Sequence, residues 1–279
     1  MIRRDRRILR YPWLVLATTL LSSCAFPVEG RFWGRELPPE PARPRTIVVI
    51  FNHGFSRESA GTFQGTIPPV VRLMGDAPDV VVYSQVRNTT SLQSVDHSSY
   101  IESAVRWFNQ AHKIPIQNII LVGQSCGGWG SLQAAAFTYP NLGGVVAFAP
   151  TCHGQLPHSS ATRDRRASEI AQIAGRIRFP AKIFVYEGDS YYNIEDWNGF
   201  EDRARLPGPV SGLVRVSRER ILQICPGQCD GDSHGAASTS GFALAYSAQH
   251  IQPLMQHVRN AFEQRAPANR GTSGASRAP

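Results

Sequence analysis

Gly123-Gln124-Ser125-Cys126-Gly127 is the stretch whose residue types and spacing could do covalent chemistry. A very apolar run, Asn118-Ile119-Ile120-Leu121-Val122, leads into it, and a segment rich in small residues, Gly128 to Ala136, follows. This pattern predicts a buried strand that reverses sharply into a helix, with a serine at the apex. Such a reversal strains the serine backbone, so the residues two places before and after it must lack bulk. The strain projects the hydroxyl off the sheet edge, and the first turn of the helix offers free N–H groups to a developing oxyanion. The chemistry would be nucleophilic attack on an acyl carbonyl. The plain alternative is a glycine-rich turn with an idle serine. A serine hydroxyl is a poor nucleophile alone, so a base, a group to orient it and oxyanion donors must come from elsewhere in the chain.

The elements that must position such groups can be read from apolar runs. Thr46 to Phe51, Asp79 to Tyr83, Asn118 to Val122, Gly144 to Phe148 and Ala181 to Tyr186 read as strands buried on both faces, with a shorter candidate at Arg220 to Ile224. Ser99 to Ala111 carries Ile101, Ala104, Val105, Trp107 and Phe108 at helical spacing. A last helix is expected from about Gly241 to Gln264, with Leu244, Ile251, Leu254, Val258 and Phe262 among its buried positions. Strands alternating with helices imply an α/β fold with a mostly parallel central sheet covered by helices on both faces. Residues 153–178 are either a cap over the site or a solvated crossover helix, Ala167 to Ile177. No internal repeat is present.

At the end of the first of these strands stands Asn52-His53-Gly54-Phe55. Together with the glycine-flanked Ser125, which has the form of a nucleophile elbow, this resembles the α/β-hydrolase superfamily over residues 46–264. The resemblance implies that the N–H groups of Phe55 and Cys126 form the oxyanion hole, with Gly54 leaving room for the carbonyl and His53 as a structural hydrogen bonder. It further implies an acid after a later strand, where Tyr186-Glu187-Gly188-Asp189 offers Asp189, with Glu187, Glu195 and Asp196 as rivals. The base is expected on a loop before the final helix. His234, in Asp230-Gly231-Asp232-Ser233-His234-Gly235, occupies that place, whereas His97 and His112 precede the serine and His250 and His257 fall within the helix. Ser125, Asp189 and His234 stand in the order of that superfamily's triad. Dienelactone-hydrolase-like and small carboxylesterase members are the nearest in pattern. This chain departs from the former in having no cysteine nucleophile, and Cys126 stands one place after the serine instead.

The expected activity is cleavage of carboxylic esters through an acyl-enzyme, on a small-molecule acyl ester and without a cofactor. A peptidase or acyltransferase of the same fold, or a non-catalytic hydrolase-like lipoprotein that binds rather than reacts, are the alternatives. Asp230 and Asp232 lack a full ligand set and read as turn formers, so no metal is expected. Tyr191, Tyr192, Trp197 and Phe200 either line a pocket or pack beneath a loop.

The N-terminus belongs to a different problem. Five arginines within residues 3–10 precede an apolar segment, Tyr11 to Leu21, too short for a comfortable membrane span. Leu21-Ser22-Ser23-Cys24 resembles the bacterial lipobox, which implies that residues 1–23 are a lipoprotein signal peptide and that Cys24 becomes the lipidated N-terminus. An ordinary secretory peptide cut nearby is the alternative. The implied location is the cell envelope on the periplasmic face, anchored by lipid, and Ala25 in place of aspartate favours the outer membrane. Residues 24–45, rich in proline and arginine, read as a tether, and 265–279 as a disordered tail. The formal charge of +8 includes that leader, which carries five arginines and one aspartate, so the remainder holds +4. With no basic cluster, a nucleic-acid partner is excluded.

An exported chain keeps disulfides. Cys225-Pro-Gly-Gln-Cys229 is a turn-rich loop in which a local bridge outranks a zinc knuckle, because no further cysteine or histidine stands at zinc spacing. Cys126 reads as a small buried residue. Cys152 is either free or paired with Cys126, and the sequence leaves that open.

Overall fold

The computed structural model describes residues 28–55, 66–87 and 96–265. The leader, Cys24 and the tail beyond residue 265 lie outside the described residues. Seven strands form one sheet: β1 (Gly30–Trp33), β2 (Ile47–Asn52), β3 (Val80–Gln85), β4 (Ile119–Gln124), β5 (Gly144–Phe148), β6 (Ala181–Tyr186) and β7 (Gly212–Val216). Their order is β1-β3-β2-β4-β5-β6-β7, with β1 antiparallel to β3 and every other pair parallel. Nearly every residue of β2 to β6 is buried, as their unbroken Val/Ile/Leu runs require of strands covered on both faces.

The helices are α1 (Pro69–Met74), α2 (Asp96–Arg106), α3 (Cys126–Gln133), α4 (Ser160–Arg176), α5 (Phe200–Arg203), α6 (Arg218–Ile224), α7 (Ser240–Tyr246) and α8 (Gln252–Arg265). Right-handed crossovers put α1 on one face of the sheet and α2, α3 and α4 on the other, because the chain moves from β2 to β3 in one direction and from β3 to β6 in the opposite one. The packing agrees: α2 lies against α3, and α1 against α7. Helix α4 begins where Ser159 Oγ accepts from the Thr162 N–H, and it buries Arg166, Ile170, Ile173 and Ala174, a single stripe of its surface. Among the described residues no helix is long and apolar enough to cross a membrane.

Four local expectations are corrected. Residues 30–33, read as tether, pair with β3, because Phe32 alternates inward to pack on Tyr83 at 5.2 Å while Arg31 and Trp33 face out. Glu40–Arg45 forms a short 3-10 turn rather than extended chain. Residues 220–224 are helix α6, not a strand. Ser217 Oγ caps it through the Arg220 N–H, and Ile221 and Ile224 are buried three apart while Leu222 is exposed. The strand is β7 instead, an edge strand with only Val216 buried and therefore no apolar run to announce it. The last helix is interrupted by a wider π turn at Ser247–Ile251, and Leu244 is 82% exposed, two positions from both Phe242 and Tyr246 and so on the opposite face.

The two isoleucines of α6 allow a direct check of the helical assignment. Ile221→Ala should cost about 2–4 kcal/mol in urea unfolding, while Leu222→Ala should cost less than about 0.5 kcal/mol. Equal losses at the two positions would contradict the helix.

Candidate active site

The turn after β4 is closely packed. Ser125 holds φ 55° and ψ −126°, and it is one of three non-glycine residues with positive φ among those described. Its conformation is fixed from both sides: its N–H donates to Phe148 O at 2.9 Å, and its carbonyl accepts from Trp129 N at 2.9 Å and Thr151 N at 3.3 Å. Glycines make the reversal possible by close approach. A Cβ on Gly127 would collide with the Asn52 carbonyl of β2, and one on Gly123 with the Gly127 backbone. Gly54 presses from the other side, where a Cβ would lie 2.9 Å from Ser125 Cβ.

The segment after β2 is equally fixed. His53 Nδ1 donates to Gly54 O at 2.8 Å, which leaves Nε2 to accept from Arg87 N at 3.3 Å. The Arg87 guanidinium lies 4.9 Å from the centre of the Phe55 ring. This holds Phe55 beside Ser125 and Cys126, all three on the wall of one cavity.

Two loops meet on the far side of that cavity. Asp189, buried at 6% exposure, accepts from His234 Nδ1 at 2.8 Å through Oδ2 and from the Tyr191 N–H at 2.8 Å through Oδ1. Two of the three rivals for the acid are engaged elsewhere, Glu187 with the Arg218 N–H and Asp196 with Arg166. Asp232 ties the loops together. Its Oδ1 accepts from the N–H groups of Ser190 and His234, and its Oδ2 from Ser190 Oγ at 2.7 Å. Burial pushes the Asp232 carboxyl up, but the hydrogen bonds from Ser190 and the His234 N–H outweigh it, so the group sits below its ordinary value. Ser233 adds a second tie, donating from Oγ to Glu187 O at 2.6 Å and accepting from Arg218 Nη1 at 2.7 Å.

Other contacts were not foreseen from the sequence. Gln124 Nε2 donates to His234 O at 3.2 Å, joining the loop after β4 to the histidine loop, and the Tyr191 ring lies 4.3 Å from the imidazole. A polar residue directly before the serine was the available signal for the first. Ser125 and His234 line the same cavity. No hydrogen bond joins them among the described residues, a contact that in such sites often tightens only with substrate present.

Both disulfides border this region. Cys126 is bonded to Cys152, so the first residue of α3 is linked covalently to the loop after β5, and Cys225 is bonded to Cys229. Cys126 is buried, as the sequence read it, and it is also half of a bridge, the pairing with Cys152 that the sequence left open. Beneath these loops lies Arg166, 1% exposed. It donates to Asp196 Oδ2 and Thr151 Oγ1, each at 2.8 Å, and stacks against Trp129, Tyr192 and Trp197. Tyr192, Trp197 and Phe200 are thus packing beneath a loop, and only Tyr191 of the four aromatics reaches the cavity. The cavity measures about 410 Å³, and none of its described lining residues is Asp, Glu, Lys or Arg. No cluster of three His, Cys, Asp or Glu among the described residues could hold a metal ion.

No family model matches the chain, and no curated protein sequence does. Solved structures do. The chain is similar to a monoacylglycerol lipase of Paleococcus ferrophilus, with a TM-score of 0.55 and 13% identity over 83% of this chain and 100% of that one. It is also similar to Est1E of Butyrivibrio proteoclasticus, solved with ferulic acid bound, with a TM-score of 0.51 and 13% identity over 85% and 94%. A third similar structure is the alpha/beta hydrolase GrgF of Penicillium sp. sh18, with a TM-score of 0.53 and 12% identity over 85% and 94%. At such identities the likeness speaks for architecture, and with the sheet order and the turn at Ser125 it assigns the chain to the α/β-hydrolase fold.

Proposed function

We propose that this protein is a serine hydrolase of carboxylic esters, exported and anchored to the cell envelope by lipid on Cys24. The observation that carries the reading is the 2.8 Å bond between His234 Nδ1 and Asp189 Oδ2, on the wall of the cavity that also holds the strained Ser125. With Nδ1–H given to Asp189, Nε2 of His234 is left to accept a proton.

The reaction follows from that tautomer. His234 Nε2 takes the proton of Ser125 Oγ as the oxygen attacks the ester carbonyl. The N–H groups of Phe55 and Cys126 stabilise the tetrahedral oxyanion. The imidazolium, held by Asp189, returns its proton to the departing alcohol, and an acyl-serine remains. Water activated by the same imidazole then releases the acid. Structures of similar fold that include a monoacylglycerol lipase support the ester class, and the absence of charged side chains among the described lining residues favours an uncharged acyl group. The lipobox-like Leu21-Ser22-Ser23-Cys24 and a disulfide beside the nucleophile support export.

Ser125→Ala should reduce turnover of p-nitrophenyl butyrate by about 10⁴-fold or more and abolish labelling by a fluorophosphonate. Labelling that persists would move the nucleophile to another residue. Asp189→Asn should lose about 10⁴-fold in kcat, because the wrong imidazole tautomer is then held, with little change in KM.

A subtler effect is expected at Asp232. Its carboxyl titrates below its ordinary value of 3.8 in the folded chain, so its stabilisation is present above the unfolded value and is lost as pH falls through the folded one. Asp232→Asn should therefore lower kcat by about tenfold at neutral pH through a loosened His234. It should also flatten the decline of stability in strong acid, measured as the thermal midpoint against pH. An unchanged acid slope would deny Asp232 this role.

A further inference from the structure

The direction of β1 decides which side of the domain its N-terminal anchor holds. Among the described residues β1 is the one antiparallel strand, paired with β3 so that Gly30 lies opposite Gln85 and Trp33 opposite Val82. β3 runs parallel to β2 and, through it, to β4, so Gln85 is level with Asn52 and Gly123 at the carboxyl edge of the sheet. The chain therefore enters the fold at the edge that carries Ser125. Short contacts continue this neighbourhood. Val86 N donates to Glu29 O at 2.7 Å, the next residue, Arg87, donates its N–H to His53 Nε2, and the Arg87 guanidinium lies over Phe55. Three strand spacings separate β1 from β4, roughly 15 Å along that edge.

The C-terminal helix leaves from the opposite edge. Arg259 of α8 forms a two-pronged pair with Asp79, at 2.7 and 2.9 Å. Asp79 lies just before β3, and its carbonyl accepts from the N–H of Ile47 at the start of β2, which marks the amino edge. α8 also packs on the 3-10 turn at Glu40–Arg45, which leads into β2.

The length of the leash turns direction into orientation. Cys24 is six positions before Gly30 in the sequence, a reach of at most about 20 Å. A domain of this size is about 40 Å across. That reach is about half the breadth of the domain and starts at the carboxyl edge, so a lipid on Cys24 favours a bilayer on the carboxyl side over one beyond the amino edge.

We infer that the carboxyl edge, with the Ser125 cavity, is held toward the membrane, and that the substrate is an ester presented at a bilayer surface, an amphiphile whose scissile carbonyl lies at headgroup depth. This rests on the hydrolase reading and on lipidation of Cys24. It adds a substrate class and an orientation that the catalytic groups alone do not give. The cavity takes the acyl carbonyl, and the remainder of the amphiphile stays in the lipid.

The test recruits the mature chain, residues 24–279 with Cys24→Ser, to nickel-chelating phospholipid vesicles by a histidine tag at one end or the other. Glycine and serine residues are added so that the two leashes match in length. One substrate is p-nitrophenyl oleate carried in the vesicles, and the other is water-soluble p-nitrophenyl acetate. N-terminal recruitment should hydrolyse the vesicle ester about fivefold faster or more than C-terminal recruitment, with equal rates on the acetate. Equal rates on the vesicle ester, or faster hydrolysis from the C-terminal tag, would overturn the orientation while leaving the hydrolase intact. Inactivity of both forms on both esters would remove the hydrolase reading and the substrate class with it. Mass spectrometry of the full-length protein from membranes should find diacylglycerol on Cys24, and an unmodified N-terminus elsewhere would overturn the inference from the other side.

Discussion

The reversal at Ser125 is the constraint around which the carboxyl edge is organised. Its backbone sits where a side chain costs about 1–3 kcal/mol, and it stays there because packing leaves no alternative. Gly127 lies directly on the carbonyl of Asn52, so α3 can start only where the end of β2 permits. Gly54, from that same β2 end, presses on the serine Cβ. Three elements thus share one small volume at the apex of the turn.

The side of the cavity that holds Asp189 and His234 depends on hydrogen bonds more than on close packing. The loops after β6 and before α7 are stitched at Asp232, Ser233 and Arg218, and Gln124 fastens the histidine loop back to β4. A layer below, Arg166 is a buried cation with one carboxylate partner and three aromatic neighbours. Removing one member of such an arrangement costs far more than replacing the whole of it with apolar groups. It links the loop holding Thr151 and Cys152 to the segment after Asp189, so the Ser125 and Asp189 sides of the site are joined through one side chain.

The parts legible in the sequence were those whose signal is local and extreme. β2, β4, β5 and β6 are continuous apolar runs because both their faces are covered, and the glycines around Ser125 are demanded by one turn. β7 was illegible because an edge strand buries only Val216, while Ile221 and Ile224 of α6 imitate a short strand when counted without the Ser217 cap. β1 was hidden by its length of four residues and by the proline- and arginine-rich stretch that follows it, and only Phe32 marks it as sheet. Within the site, Asp189 and His234 were chosen by chain order. The ties from Asp232, Gln124 and Arg166 span 30 to 110 positions and leave no periodic trace. The Cys126–Cys152 pairing was undecidable for the same reason, since β5 and its following loop must first be laid beside β4.

That covalent link ties the chain's chemistry to the oxidation state of its surroundings. The residue whose N–H is assigned to the oxyanion is clamped to a neighbouring loop only once two thiols have been oxidised. In a reducing compartment the chain would hold Ser125 without that clamp.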